Sequence, residues 1–232
     1  MALGNIAAPL VEPALSASAA KMRLLKKLRC TLRYEKEAWA SGFSCVAGVD
    51  EVGRGALFGP VMAGAVVLDP ARRIRGLRDS KLLDAERREE LAAEIRLKAV
   101  VFAVAEVDAA EIDRINIYQA SRLAMKLSVE QLALAPDFLL VDAMRIDHPC
   151  AQRGIIHGDA LSVSIAAASI IAKVMRDQRM RELDAHYPQY GLASHKGYAT
   201  PQHREALRRH GPTPLHRMSF APCAQVELEW TE

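Results

Sequence analysis

Between Ser44 and Val107 the chain carries three short runs that are almost wholly apolar, each bounded by charge, glycine or proline. Such valine-rich runs predict buried strands, here over 44–50, VMAGAVVLD (61–69) and 100–107. FLLVDA (138–143) predicts another, and GIIHGD (154–159) a short strand or loop. Elsewhere the apolar positions take a helical period. MRLLKKLRCTLRYEKEAWA (22–40) predicts an opening helix with Leu24, Leu25, Leu28, Leu32 and Trp39 inside. Asp84 is the expected N-cap of AERREELAAEIRLKA, and Asp108 with Glu111 forms a capping box. The helix it opens runs on through INIYQASRLAMKLSVEQLAL toward Pro136. A long helix is expected over 162–186, with Ile165, Ser169, Ala172 and Met180 inward. Thr200 and Pro201 supply the cap and first turn of QHREALRRH. Strands first and helices last predict an α/β sheet domain with a helical C-terminal segment.

A chain of 232 residues suits one domain with a sizeable core. Residues 1–21, rich in Ala, Pro and Ser and without a period, read as a flexible extension, leaving 22–232 as the domain. Cys30, Cys45, Cys150 and Cys223 form no CxxC pair, which argues against a zinc site or a disulfide framework and fits a reducing cytoplasm. No apolar run approaches the roughly 18 residues of a membrane span, and the N-terminus lacks the basic start of a signal peptide. A cytoplasmic protein without membrane contact is expected. The net charge of +3 decides little. Basic clusters at Lys21–Arg29, Arg72–Arg78, His195–Lys196 and Arg204–Arg209 offer either phosphate contacts or solvated helix faces.

The acids carry more information. Asp50, Glu51, Asp142 and Asp159 each fall at or just after the end of an apolar run. If those runs are neighbours in one sheet, the carboxylates converge, and four together cannot stay ionised without cations. Hard oxygen ligands with no His or Cys partner favour magnesium or manganese over zinc. The alternative is that each acid caps its own turn. Adjacent residues of a regular strand face opposite ways, so Asp50 and Glu51 share a site only where the strand ends or bulges. Gly53 and Gly55, flanking Arg54, make such a turn easy and offer bare amides to a ligand.

GVDEVGRGALFGPV from Gly48, DSK at Asp79, NIYQAS from Asn116, LLVDA from Leu139, GDALSVSIAAASIIAKVMRD from Gly158, HKGYAT from His195 and HRMSF from His216 together resemble the bacterial ribonuclease HII family. The likeness spans about 28–222 in the family's order. It implies a ribonuclease H-like fold, a five-stranded mixed sheet flanked by helices. It further implies an endonuclease that cuts the RNA strand of RNA/DNA hybrids and nicks 5′ of single ribonucleotides in duplex DNA, serving ribonucleotide and primer removal. The catalytic and metal-binding acids it implies are Asp50, Glu51, Asp142 and Asp159, with two Mn2+ or Mg2+ ions in the catalytic complex.

The resemblance also implies that the backbone of Gly53, Arg54 and Gly55, with Tyr198, reads the 2′-hydroxyl and the RNA to DNA junction. Lys81, Asn116, Ser169, Lys173, Lys196, His216 and Arg217 are further candidates for phosphate or sugar contacts. Ser169 and Lys173 lie one helical turn apart and can share a face. Asp177, late in its helix, suits a structural ion pair. Ala143 stands where the family usually has glycine, and His157 where lysine is common; these departures bear on backbone approach near Asp142 and on one phosphate contact. Arg54 separates the chain from the type 3 enzymes, which usually carry threonine there and a large extra N-terminal domain. A monomer is expected. A small-molecule phosphohydrolase or a noncatalytic nucleic-acid binder are the competing readings; the first has no use for Gly-Arg-Gly and Tyr198, the second none for four acids.

Overall fold

The computed structural model describes residues 23–25 and 27–231, so the expected extension at 1–21 lies outside the described residues. Five strands form one mixed sheet: β1 (Val46–Val52), β2 (Val61–Val67), β3 (Val101–Val107), β4 (Phe138–Asp142) and β5 (Ala151–Ile155). Their order is β3-β2-β1-β4-β5. β1, β2 and β3 form an antiparallel meander, while β4 and β5 run parallel to β1. The expected five-stranded mixed sheet is therefore present.

Alternation along the strands sends side chains to two cores. On one face, Val49, Val61, Ala63 and Ala65 pack with Ile112, Ala124, Met125 and Val129 of α3 (Ala109–Glu130). On the other, Val66 packs with Leu91 and Ile95 of α2 (Ala85–Lys98) and with Ala166, Ile170 and Ile171 of α5 (Val163–His186). α5 lies very close to the sheet. A Cβ on Gly48 would stand 2.1 Å from the Ser164 carbonyl carbon, so only glycine fits there. Ile165, Ser169, Ala172 and Met180 of α5 are all buried, as its period requires.

The helix expected over 22–40 is broken. Residues 23–25 are helical, Thr31 then makes a parallel bridge to Ser162, and α1 begins afresh at Arg33 and ends at Ala40. Within α1, Glu35 is buried to 1% exposure, and its carboxylate accepts from Ser162 Oγ (2.5 Å) and Ser164 N (2.9 Å) at the start of α5. α3 stops at Glu130, short of Pro136, and is interrupted at Asn116 (φ 67°, ψ 160°). There Asn116 Oδ1 accepts from the amides of Tyr118 and Gln119 and recaps the second half. Asp84, Asp108 and Thr200 cap their helices as expected, accepting from Arg87 N, Glu111 N and His203 N.

Beyond β5, His157 adopts a left-handed conformation (φ 58°) and starts the short helix α4 (Gly158–Leu161). Asp159 thus lies in a helical turn, not at a strand end. The C-terminal segment is helical: α6 (Leu192–His195), α7 (Pro201–His210) and α8 (Ala221–Thr231). No helix among the described residues is long and apolar enough to cross a membrane.

Candidate active site

Asp50 and Glu51 are consecutive in β1, and the strand does not end at them. It stays in register with β2 through Val52. Its pairing with β4, however, stops at Val49 and Val141, one residue before Asp50 and Asp142. The sheet therefore opens on that side only. Asp50 Oδ1 curls back to accept from Glu51 N at 2.8 Å. As a result one carboxylate oxygen each from Asp50, Glu51 and Asp142 lie within 4.8 Å of one another.

Burial and mutual repulsion raise these acids together. Asp50, 3% exposed, is held well above the carboxylate range by burial and then by Asp142, Glu51 and Asp159. Asp142 is pushed up to about 7 by burial, Asp159 and Glu51. Burial also raises Glu51, although Arg54 at 3.3 Å pulls the other way. Glu51 Oε2 is buried with no hydrogen-bond partner. A crowded all-oxygen set with a spare buried acceptor fits a hard divalent cation.

Asp159 is buried beside this trio and is tied to Lys81, whose Nζ donates to Asp159 Oδ2 at 2.9 Å. Burial opposes the ammonium charge of Lys81, yet Asp159, Asp50 and Asp79 together hold its pKa above the ordinary lysine range. Asp79, 1% exposed, places that lysine by accepting from Lys81 N at 2.9 Å. Sequence reasoning singled out Lys81 and passed over Asp79, although both lie in the quoted DSK.

A cleft of about 660 Å³ runs past Asp50, Glu51 and Asp142. Gly53, Arg54, Gly55, Lys81, Ser169, Lys173 and Tyr198 line it too. The side formed by Gly53, Arg54, Gly55 and Tyr198 is tightly built. Gly53 has φ 92°, and a Cβ there would fall 2.2 Å from Arg176 Nε, whereas one on Gly55 would meet nothing within 4 Å. Ala56 bridges Tyr198, joining the Gly-Arg-Gly loop to the HKGYAT segment. Buried Arg176 donates to the carbonyls of Pro60 (3.3 Å) and Lys196 (3.1 Å), and buried Arg217 to those of Gly59 (3.0 Å) and Arg54 (2.9 Å).

Ser169 Oγ lies 2.9 Å from Ser80 Oγ, and Lys173 pairs with Asp177 at 2.6 Å. Asp177 also meets Arg88 at 3.7 Å, an ion-pair setting.

Four residues expected to contact substrate, Asn116, Lys196, His216 and Arg217, are not among those lining the cleft. Asn116 is exposed at the break in α3. Lys196 Nζ donates to the carbonyl of Ala193. His216 is 1% exposed, with its ring 4.8 Å from Phe58 and 4.9 Å from Tyr190; burial, then His203, pushes it down to about 3. Arg217 is fully buried under the loop it holds. The last two are enclosed by protein, His216 in a bridge with Phe58 and Arg217 on the carbonyls of Gly59 and Arg54. Arg176 was missed although AKVMRD was quoted; a buried arginine bonded to distant carbonyls leaves no local pattern.

Ala143 and His157, the two departures, both have positive φ, 53° and 58°. Ala143 keeps a glycine-like conformation at the cost of its Cβ.

The family model described as Ribonuclease HII matches residues 47–223. The chain belongs to the ribonuclease HII family. It is accordingly a hydrolase of the ribonuclease H type. It is 62% identical over 208 residues to the ribonuclease HII of Koribacter versatilis (strain Ellin345), covering 90% of this chain and 82% of that one. To the ribonuclease HII of Solibacter usitatus (strain Ellin6076) it is 60% identical over 196 residues, covering 84% and 86%. The crystal structure of ribonuclease H2 from Pyrococcus horikoshii OT3 matches with a TM-score of 0.70 at 26% identity, covering 82% of this chain and 100% of that one. The matching fold carries this family member's three converging acids on β1 and β4.

Proposed function

We propose that this ribonuclease HII family member cuts the RNA strand of RNA/DNA hybrids and nicks 5′ of single ribonucleotides in duplex DNA, leaving 3′-hydroxyl and 5′-phosphate ends. The observation that carries the reading is the convergence of Asp50, Glu51 and Asp142 oxygens within 4.8 Å on a cleft shared with Gly-Arg-Gly and Tyr198. Asp50, Glu51, Asp142 and Asp159 would hold two divalent ions, Mg2+ or Mn2+. Bound there, the ions supply neutralisation of phosphate charge, an activated water and support for the leaving oxygen.

The chain's own residues do the rest. The amides of the Gly-Arg-Gly loop, fixed by Arg176 and Arg217, face a 2′-hydroxyl where no Cβ intervenes. Tyr198 packs on the sugar and base at the junction, a contact a small-molecule hydrolase would not need. Lys81 holds Asp159 in place and meets the phosphate next to it. Ser169 and Lys173 line the path of the strand.

Gel analysis of a labelled duplex containing one ribonucleotide, beside a long hybrid, tests the reading with magnesium, manganese or EDTA. Cleavage of both with either metal and of neither with EDTA is expected. An intact duplex under all conditions would overturn it. The catalytic unit in this reading is residues 22–232, so removal of 1–21 leaves cleavage nearly unchanged.

A further inference from the structure

The basic cluster at Arg72–Arg78 takes no part in lining the acidic cleft. Arg72, Arg73 and Arg75 instead line a second cavity of about 590 Å³, walled by Val46 at the other end of β1. Asp50 lies four steps along the strand from Val46, about 13 Å. Leu68, Ile74, Leu77, Val163 and the Trp39 ring give this cavity an apolar lining. Lys36 joins the three arginines around it.

The charges there are unbalanced. Asp69 is the one acid in the lining, and its Oδ1 is taken by Ala71 N at 2.9 Å. Among the described residues none of the four cations makes an ion pair. Nor are their side chains needed to hold the loop. It is secured through its carbonyls, Arg73 O by Lys98 Nζ at 3.2 Å and Arg75 O by Arg87 Nη2 at 3.2 Å. Four cations around an apolar cavity, with no structural use for their charge, call for a ligand that is both anionic and apolar.

A nucleic acid meets this poorly. A base needs acceptors as well as donors along its edge, and here the open groups are the donors of the four cations alone: Ser44 N and Oγ are engaged with Asp137, Ser164 N with Glu35, and Asp69 Oδ1 with Ala71 N. A phosphate backbone alone would leave the apolar lining unfilled. A peptide with carboxylates beside a bulky apolar side chain uses both features, through charge-assisted pairs to arginine and an anchor in a desolvated pocket.

We propose that this cavity docks an acidic segment of a partner protein, with one aromatic or leucine side chain against Trp39 and Ile74 and its carboxylates on Arg72, Arg73, Arg75 and Lys36. Being at the far end of β1, the docked segment leaves the acidic cleft free. The surface thus serves recruitment and not catalysis.

Fluorescence anisotropy of the full chain with a labelled peptide, a run of aspartates followed by leucine and phenylalanine, tests this. Saturable binding is expected, weakened at least tenfold when the aspartates become asparagines or when the two apolar residues become serines. The double variant Arg72→Glu, Arg75→Glu should weaken it at least tenfold while leaving the circular dichroism and the cleavage rate unchanged. Both side chains are exposed, so folding is not at stake. Trp39 packs on the core and is less suitable for substitution. Absence of saturable binding, binding indifferent to the double variant, or displacement by a ribonucleotide-free DNA duplex as effective as by unlabelled peptide would each overturn the proposal.

Discussion

The guanidinium of Arg176 lies 5.4 Å from the centre of the Tyr198 ring, and the same group occupies the space a side chain on Gly53 would need. One buried cation thus sets both halves of this side of the cleft, the bare loop and the ring. Neither half can shift without disturbing the carbonyls that Arg176 binds.

Tyr198→Ala should chiefly cost junction recognition, by the roughly 1 to 3 kcal/mol of base stacking on an aromatic ring. Tyr198→Phe should keep most of it. Cleavage of single-ribonucleotide duplex beside a long hybrid, with metal titrated, is the measurement. Equal loss on both substrates, or rescue by excess metal, would assign the ring to the fold or the metal site.

Asp50→Asn should lower cleavage to less than about a tenth, a cost above roughly 1.4 kcal/mol in the barrier, because its amide is a poorer ligand. The same change relieves repulsion among buried carboxylates. Thermal unfolding in EDTA should therefore occur at the same temperature or higher. A variant that retains most of its rate removes Asp50 from the centre of the site.

The pH dependence of stability follows from Asp142. Its folded pKa of about 7 lies above the ordinary value of 3.8, so the folded chain binds more protons between those limits. This contribution is fully present below the unfolded pKa and is lost as pH rises through 7. His216, lowered from 6.5 to about 3, acts oppositely: its contribution is present above 6.5 and is lost as pH falls. The acid term is therefore isolated by comparing wild type with Asp142→Asn in EDTA. Stability of the variant relative to wild type should rise between pH 4 and 7. A constant difference would mean that Asp142 titrates normally.

Ala143→Gly should stabilise the chain by about 0.5–1 kcal/mol, the left-handed strain relieved less the greater freedom of unfolded glycine. Urea unfolding measures it. Because Ala143 is exposed and supplies no ligand, cleavage should persist. No gain in stability would show that the positive φ at this position carries no cost.

Much of the architecture was legible in the sequence because periodicity is a local record of which face meets the core. The first four strands, the caps at Asp84, Asp108 and Thr200, and the inward stripe of α5 follow from it, and the acids on β1 and β4 follow from where apolar runs meet charge; β5, a polar and largely exposed edge at Ala151–Ile155, overlaps the expected 154–159 only at its end. The family segments were equally plain, being contiguous. Tertiary structure alone decided the rest. The first helix gave way to a bridge from Thr31 to Ser162 and a buried Glu35 serving the start of α5, and Asn116 interrupted α3 where its own side chain could recap the chain. Asp159 came to a helical turn facing Lys81 because His157 reversed the backbone. His216 and Arg217 went inside because carbonyls and rings far away in sequence surround them. A local pattern registers whether a residue is apolar; it holds no trace of which distant carbonyl or carboxylate will need that residue's hydrogen or charge.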